Sequence, residues 1–344
     1  MTLRKYAVAA CVLAAMLSFT ACGQSSGDSS QTSSQAATSS QALSEDSFSA
    51  ENIVQTALDR NLAQKSSTAK MTTEFKFQGD DGEATAVVAT DIKAITEPVF
   101  KHILMDVSQN GEQYSTSEFY VDEAENGDMT LYISYGDEWY KMPVTDAELF
   151  AVLGQYDVRE VTNIVLNSLT NVTVSGKEDA NGVASYKVDA VIPAADVPDV
   201  IINAGVFVAN GLTNLYEEYF DGVSDMPVTF YVDAKTGDIV KLSFDAGEAF
   251  QIVSDYAYNI AQGIDEYKDS QRLVVNSYNV SIDVTDIDKT EKEEIPTDVT
   301  EGQELPGLSE SIDEANGVSS GVESSSAATS SSASSANSSQ ETAE

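Results

Sequence analysis

Tyr132-Ile133-Ser134-Tyr135-Gly136-Asp137-Glu138-Trp139-Tyr140-Lys141-Met142 is the stretch on which the fold turns. Met129, Leu131, Ile133 and Tyr135 alternate with Thr130, Tyr132 and Ser134, and apolar side chains resume at Trp139 after Gly136-Asp137. A period of two marks a half-buried strand, because successive side chains leave opposite faces. Gly at the first central position of a two-residue loop suits a type II′ turn. The stretch reads as a β-hairpin.

The same pattern recurs on both sides of it. Met71-Thr73-Phe75-Phe77 alternates with Thr72-Glu74-Lys76; Val228-Phe230-Val232 and Tyr278-Val280-Ile282-Val284 repeat the period. Val99, Ile103, Met105 and Val107 share one face of a further strand, with Phe100, His102 and Leu104 on the other. Asn110-Gly111, Asn126-Gly127 and Asn181-Gly182 supply the positive φ angles of tight hairpins, and residues 233–238 join two strands through a longer loop. Successive hairpins predict an antiparallel meander rather than a parallel βαβ sheet.

Helices interrupt the meander. Ser49 is placed to cap an opening helix with Ile53, Ala57, Leu58 and Leu62 as its apolar stripe. Two further zones follow, one over 145–153 and 157–169. The other begins after Pro193 with Val197, Val200, Ile201, Ala204, Phe207 and Val208, and resumes with Leu212, Leu215, Tyr216 and Tyr219. Residues 46–285 read as one α+β domain.

Charge narrows the function. The chain has 344 residues, 56 Asp+Glu against 18 Lys+Arg, one His and a net charge of -38. Such a balance repels phosphate backbones, which excludes nucleic acid as a partner. Anionic lipid would repel it too, so attachment to a membrane needs something other than basic side chains. Two cysteines and a lone His102 leave no zinc set and no triad. No cofactor and no metal are expected.

The N-terminus supplies the attachment. Arg4 and Lys5 precede an uncharged apolar run over 7–17, the layout of a secretory signal and too short for a membrane-spanning helix. Leu17-Ser18-Phe19-Thr20-Ala21-Cys22-Gly23 then resembles the lipobox of bacterial lipoproteins, with Phe19 where Leu is usual. The resemblance implies cleavage after residue 21 and a diacylglyceryl thioether on Cys22. Cys11 lies inside the signal, so Cys22 has no disulfide partner in the mature chain. Two acyl chains hold a protein stably where one does not.

Polar segments flank the domain. Residues 22–45 form a Ser/Gln-rich linker, with nine Ser over 23–45. As a flexible coil it spans roughly 25 Å. From Asp286 to Glu344 the sequence is acidic and then Ser-rich, and reads as a disordered tail.

Local motifs for chemistry are weak. Gly317-Val318-Ser319-Ser320-Gly321 has the letters of a nucleophile elbow, but lies in the Ser-rich tail with the only His upstream. His102 reads as a structural imidazole. The acidic run over 122–128 fails the EF-hand spacing at Ala124 and Ile133, and reads as a hairpin turn. No local feature selects a pair of carboxylates for hydrolysis. Tyr132, Tyr135, Trp139 and Tyr140, and later Tyr216, Tyr219 and Phe220, read either as packing or as the wall of an apolar pocket.

The hairpin at 132–142 and Phe230-Tyr231-Val232-Asp233-Ala234-Lys235-Thr236-Gly237-Asp238-Ile239-Val240-Lys241 carry a wider resemblance. Both are similar to hairpins of LolA/LppX-like lipoproteins, including uncharacterised Gram-positive ones. That resemblance implies a curved antiparallel half-barrel with helices on its concave face, whose cavity carries acyl chains in better-known relatives. It transfers no ligand-binding residue.

The expectation is a lipid-anchored monomer on the extracytoplasmic face of the cell membrane, binding a lipid or other apolar ligand without catalysis. The alternative is a cell-surface scaffold or sensory module with a filled core. A hydrolase ranks third.

Overall fold

The computed structural model describes residues 43–79, 82–136, 138–144, 153–210, 212, 214–264 and 271–304. After a short 3-10 turn, Glu45–Phe48, the elements are α1 (Ile53–Ala63), β1 (Ser66–Gly79), β2 (Gly82–Thr96), β3 (Val99–Gln109), β4 (Glu112–Glu123), β5 (Met129–Tyr135) and β6 (Glu138–Pro143). Then follow α2 (Val158–Asn167), β7 (Thr170–Ala180), β8 (Val183–Ile192), α3 (Val197–Asn203), β9 (Met226–Asp233), β10 (Ile239–Asp245), α4 (Gly247–Gln262), β11 (Val274–Thr285), α5 (Thr297–Thr300) and β12 (Gln303–Glu304).

These strands make one open, curved sheet in the order β12-β6-β5-β4-β3-β2-β1-β11-β10-β9-β8-β7. Only β12, beside β6, runs parallel to its neighbour. Two meanders, β1–β6 and β7–β11, meet where β1 pairs with β11. The chain passes from one edge of the sheet to the other through α2, which joins β6 to β7. This is the expected α+β class of half-barrel.

Alternation decides which face is covered. Phe75 and Phe77 of β1, Ile103 and Met105 of β3, Phe230 and Val232 of β9, and Tyr278, Val280 and Ile282 of β11 all enter one core. Ile53 and Ala57 of α1, Val161 and Val165 of α2, Val200 and Ile201 of α3, and Phe250 and Val253 of α4 pack into the same core. The four helices therefore cover the inner face, as parallel apolar stripes on an antiparallel sheet require.

Turn chemistry holds at two of the three Asn-Gly sites. Asn110 and Gly111 (φ 51° and 82°), and Asn181 and Gly182 (φ 56° and 79°), close two-residue hairpins. At Asn126-Gly127 only Gly127 has positive φ, and the loop runs between paired Glu123 and Met129. The extra length comes from an Asx-type contact of Asn126 with Asp128, which replaces the tight turn.

Other expectations need correction. Ser49 contributes only its carbonyl to the start of α1, and its hydroxyl is buried without a partner. Leu62 is exposed, because the buried side of α1 continues through Asn61, which bonds Asn163 and the Arg159 carbonyl of α2. The helix after Pro193 stops at Asn203; Gly205 at φ 63° lies just beyond it, and short 3-10 turns follow at Val208–Asn210 and Glu217–Phe220. Residues 145–152 lie outside the described residues. The tail reading from Asp286 fails over 286–304, where the chain lies on the outer face and buries Val299. The sequence reading also missed α4, at 16 residues the longest described helix.

Candidate functional site

Part of the inner face is packed with aromatic rings. Phe75 stacks on Phe77 at 4.7 Å between centroids and meets Phe250 at 4.8 Å; Phe250 stacks on Tyr278 at 5.1 Å, and Phe207 meets both edge-on at 4.9 and 5.1 Å. The Tyr278 hydroxyl lies 2.6 Å from Asn210 Oδ1 and 2.8 Å from the Val206 carbonyl, and burial pushes its pKa well up. That bond ties the 3-10 turn at Val208–Asn210 to the sheet. Farther along the core, Tyr156 is buried against Met105 and Phe119, and its pKa is pushed up to about 12 by burial.

Gly247 lets α4 start this close to the sheet. A Cβ there would stand 3.0 Å from Ser277 Cα and 3.1 Å from Tyr278 N, both backbone. Asp245 Oδ1 accepts from the N–H groups of Gly247 and Tyr278 at 2.8 and 2.9 Å, locking helix to strand.

The second half of α4 behaves differently. Its last buried residue is Val253. Beyond it Tyr256 and Ile260, four residues apart, lie on one side of the helix, and Ile264 follows just past the C-cap Gly263. Tyr219 packs on Tyr256 at 4.4 Å, and Tyr216 meets Tyr219 edge-on at 5.4 Å. Tyr216, Ile260 and Ile264 are 54%, 54% and 44% exposed. The result is an apolar edge between the 3-10 turn at Glu217–Phe220 and α4. Beside it, Asp255 is held below the usual carboxylate range by its paired bonds from Arg272.

The outer face carries a smaller apolar centre. Phe100, Tyr120 and Val299 are buried together, with Ile95, Tyr132, Trp139 and Ile295 packed around them. His102 stacks on Tyr120 at 4.2 Å; its Nδ1 lies 2.7 Å from Glu293 Oε1 and its Nε2 2.7 Å from Glu118 Oε1. Lys93 also bonds Glu293 at 2.7 Å, and Lys292 bonds Asp122. Burial opposes ionisation of Glu293, but the bonds from Lys93 and His102 outweigh it and hold the carboxyl below its usual range. The imidazole thus fastens the segment over 286–304 to the sheet.

Several sequence candidates resolve on this geometry. Cys22 and Gly317–Gly321 lie outside the described residues. Tyr132 and Trp139 form the floor under Val299, Tyr135 projects into solvent, and Tyr140 pairs with Ile133 and donates to Glu138. Phe220 is core, whereas Tyr216 belongs to the exposed edge. In the acidic run, Asp122 is taken by Lys292 and Glu123 accepts the Val99 N–H at 2.7 Å. No group of three or more His, Cys, Asp or Glu among the described residues is arranged to hold a metal. The α4 edge had a legible signal: Phe250, Val253, Tyr256 and Ile260 keep helical spacing after Gly247.

No helix among the described residues is long and apolar enough to cross a membrane. A family of unknown function, DUF6612, matches residues 49–163, from the start of the domain into α2. No curated protein matches the chain. Among solved structures, the Mycobacterium tuberculosis lipoprotein LppX is 14% identical with a TM-score of 0.40, covering 74% of this chain and 100% of its own. LprF from Mycobacterium bovis is 16% identical with a TM-score of 0.38, covering 73% and 97%. A domain from Vibrio parahaemolyticus, described as a candidate outer-membrane lipoprotein-sorting protein, is 10% identical with a TM-score of 0.22, covering 71% and 95%. These structural neighbours are lipoproteins and a lipoprotein-sorting domain, of the LolA/LppX-like kind that the two hairpins resemble.

Proposed function

We propose that this chain is an extracytoplasmic lipoprotein, cut after residue 21 and acylated at Cys22, whose folded part binds a lipid or other apolar ligand without catalysis. The observation that carries the ligand reading is the apolar edge of Tyr216, Tyr219, Tyr256, Ile260 and Ile264. On a chain of net charge -38, a contiguous apolar surface stands out from its surroundings and marks a binding surface. Residues 22–45 are the proposed linker between Cys22 and the domain.

The filled inner face supports a second reading, a surface interaction module with no ligand. Native mass spectrometry of the full chain purified from its own host separates the two. A reproducible co-purifying lipid mass, lost in the Tyr256→Ser/Ile260→Ser double variant, supports binding at the edge. Unliganded protein in all preparations, with no shift on adding phospholipid, removes it and leaves the module. The anchor has its own test: Cys22→Ala is expected to release the protein into the medium, and retention in the membrane fraction overturns the attachment.

A further inference from the structure

The end of the sheet where the chain enters holds a cleft of about 90 Å³, between the β2–β3 turn and the start of α2. Its walls include Gln64, Ser66 and Ser67, each more than nine-tenths buried at 5%, 8% and 8% exposure. Among the described residues, none of these three side chains has a hydrogen-bond partner on the protein. These three side chains line the cleft beside Arg159, whose Nε is buried without a partner, and since buried polar groups are nearly always paired, the cleft calls for a partner from outside the fold.

The charges in the cleft say what partner. Lys101 and Arg159 both line it, in a chain with three acids for every base. Lys101 is spoken for: its Nζ lies 3.0 Å from Asp157 Oδ2, and Asp157 also caps α2 by accepting the Glu160 N–H at 3.1 Å. Asp157 is the one acid in the lining, and Lys101 balances it. Arg159 leaves a surplus positive charge, and its Nε is buried without a hydrogen bond. The first turn of α2 adds N–H groups that have no partner within the helix, at the positive end of its dipole.

Unpaired donors, two hydroxyls, an amide and a net positive charge suit an anion with several acceptor oxygens. We propose that this cleft binds a phosphate group, with Arg159 as its main charged contact and Ser66, Ser67 and Gln64 completing the shell. The space suffices for a tetrahedral oxyanion, since a cavity needs only about 10–15 Å³ on this measure to hold one water. Two sources carry the same chemistry: free inorganic phosphate, or the headgroup of a phospholipid. The chain enters near this end, at Leu43 beside Gly237 of the β9–β10 loop. A tether from Cys22 would hold the cleft on the membrane side. The site is independent of the apolar edge on α4 and of whether that edge binds anything.

The test uses the full chain in detergent, titrated with inorganic phosphate, with dioctanoyl phosphatidic acid, and with octanoate as a carboxylate control. Arg159→Gln keeps the backbone carbonyl that Asn61 uses, and is expected to weaken phosphate binding tenfold or more. Ser67→Ala is expected to weaken it by a smaller factor, about threefold, and serves alone should Arg159→Gln lose its native circular dichroism. Tighter binding of phosphatidic acid than of inorganic phosphate, abolished by the same variants, identifies a headgroup site. Equal binding of both identifies a free-phosphate site, and either result supports the proposal. Absence of binding up to about 10 mM, binding unaffected by both variants, or octanoate binding as well as phosphate overturns it.

Discussion

The two faces of the sheet are built on opposite principles. Inside, side chains from the central strands and all four larger helices form one continuous core in which polar groups are few. Outside, Phe100, Tyr120 and Val299 form a small buried cluster, and a ring of polar contacts surrounds them: Lys93 and His102 on Glu293, His102 and Tyr120 on Glu118, Lys292 on Asp122. Both faces follow from one alternating sequence. What differs is the cover. Amphipathic helices bury area, whereas an acidic segment whose one helical turn is Thr297–Thr300 buries Val299 and must hold the rest by charge. The inner face should therefore answer to volume, and the outer face to protonation and salt.

The largest effect is expected at the centre of the inner core. Phe250 contacts Phe75, Phe207 and Tyr278, so Phe250→Ala removes a ring from the middle of the cluster. Truncations of this kind cost about 3–5 kcal/mol. Chemical denaturation should show that loss with little change on moving from low to high salt. A loss below about 1 kcal/mol would mean that the cluster is loose enough to be a cavity in solution.

The outer face should yield to a charge instead. Val299 is 2% exposed where the segment over 286–304, a strap across the outer face, lies on the sheet, so Val299→Asp puts an unpaired carboxylate against Phe100 and Tyr120. Burying it costs enough for the segment over 286–304 to lift instead. Hydrogen exchange should rise throughout that segment, while the inner strands β9–β11 keep their protection. Coupled loss in both places would show that the two faces are one cooperative unit, against the contrast drawn above.

That contrast was half legible in the sequence. Alternation at Phe75-Phe77, Phe230-Val232 and Tyr278-Val284 announced the inner face directly, because a period of two survives any tertiary context that buries one side. The outer patch was invisible for a physical reason. Val299 is one apolar residue in a run of acids, and its burial depends on Phe100 and Tyr120, which lie nearly two hundred positions away. His102 was readable as structural, but Glu118 and Glu293 as its partners were not, since strand pairing and strap placement bring them together. The α4 edge was within reach, but its Gly247 start and polar Gln251, Ser254 and Asp255 masked the helical spacing. The phosphate cleft left no sequence signature: its residues come from the end of α1, from β1, β2 and β3 and from the start of α2, and meet only at the end of the sheet.

Protonation offers a finer probe of the outer face. Glu293 is held below its usual range in the folded protein, so it contributes stability that is fully present above its unfolded value of 4.5. The contribution is lost as pH falls below that value and through the lower folded one. Proteolysis of the strap should accelerate over this window, before the core unfolds. Glu293→Gln removes the carboxylate that Lys93 and His102 share, and should loosen the strap at neutral pH and flatten this part of the pH response. If the variant keeps the full response, the latch lies in Asp122–Lys292 instead.

The smallest effect is expected where the other terminal segment meets the inner side. Gly237 sits at φ 76°, and a Cβ there would stand 2.7 Å from Leu43 Cδ1, 3.0 Å from Thr56 Cγ2 and 3.3 Å from Arg60 Cγ. Gly237→Ala thus meets a left-handed backbone that costs an L residue roughly 1 kcal/mol, and a neighbour that must move. Leu43 is only partly buried at the rim of the core and can yield at its side-chain tip, whereas Thr56 belongs to α1 and cannot move without the core. The expected result is a fall in melting temperature of about 2–4 °C, with exchange rising at residues 43–48 and unchanged in β9 and β10. A terminal segment on the inner side would then release by sterics alone, at constant pH and salt. The strap outside needs a change of charge to do the same. Should exchange at 43–48 instead follow pH as the strap does, the entry to the domain is held by its acids, and the division between the two faces stops short of the ends of the chain.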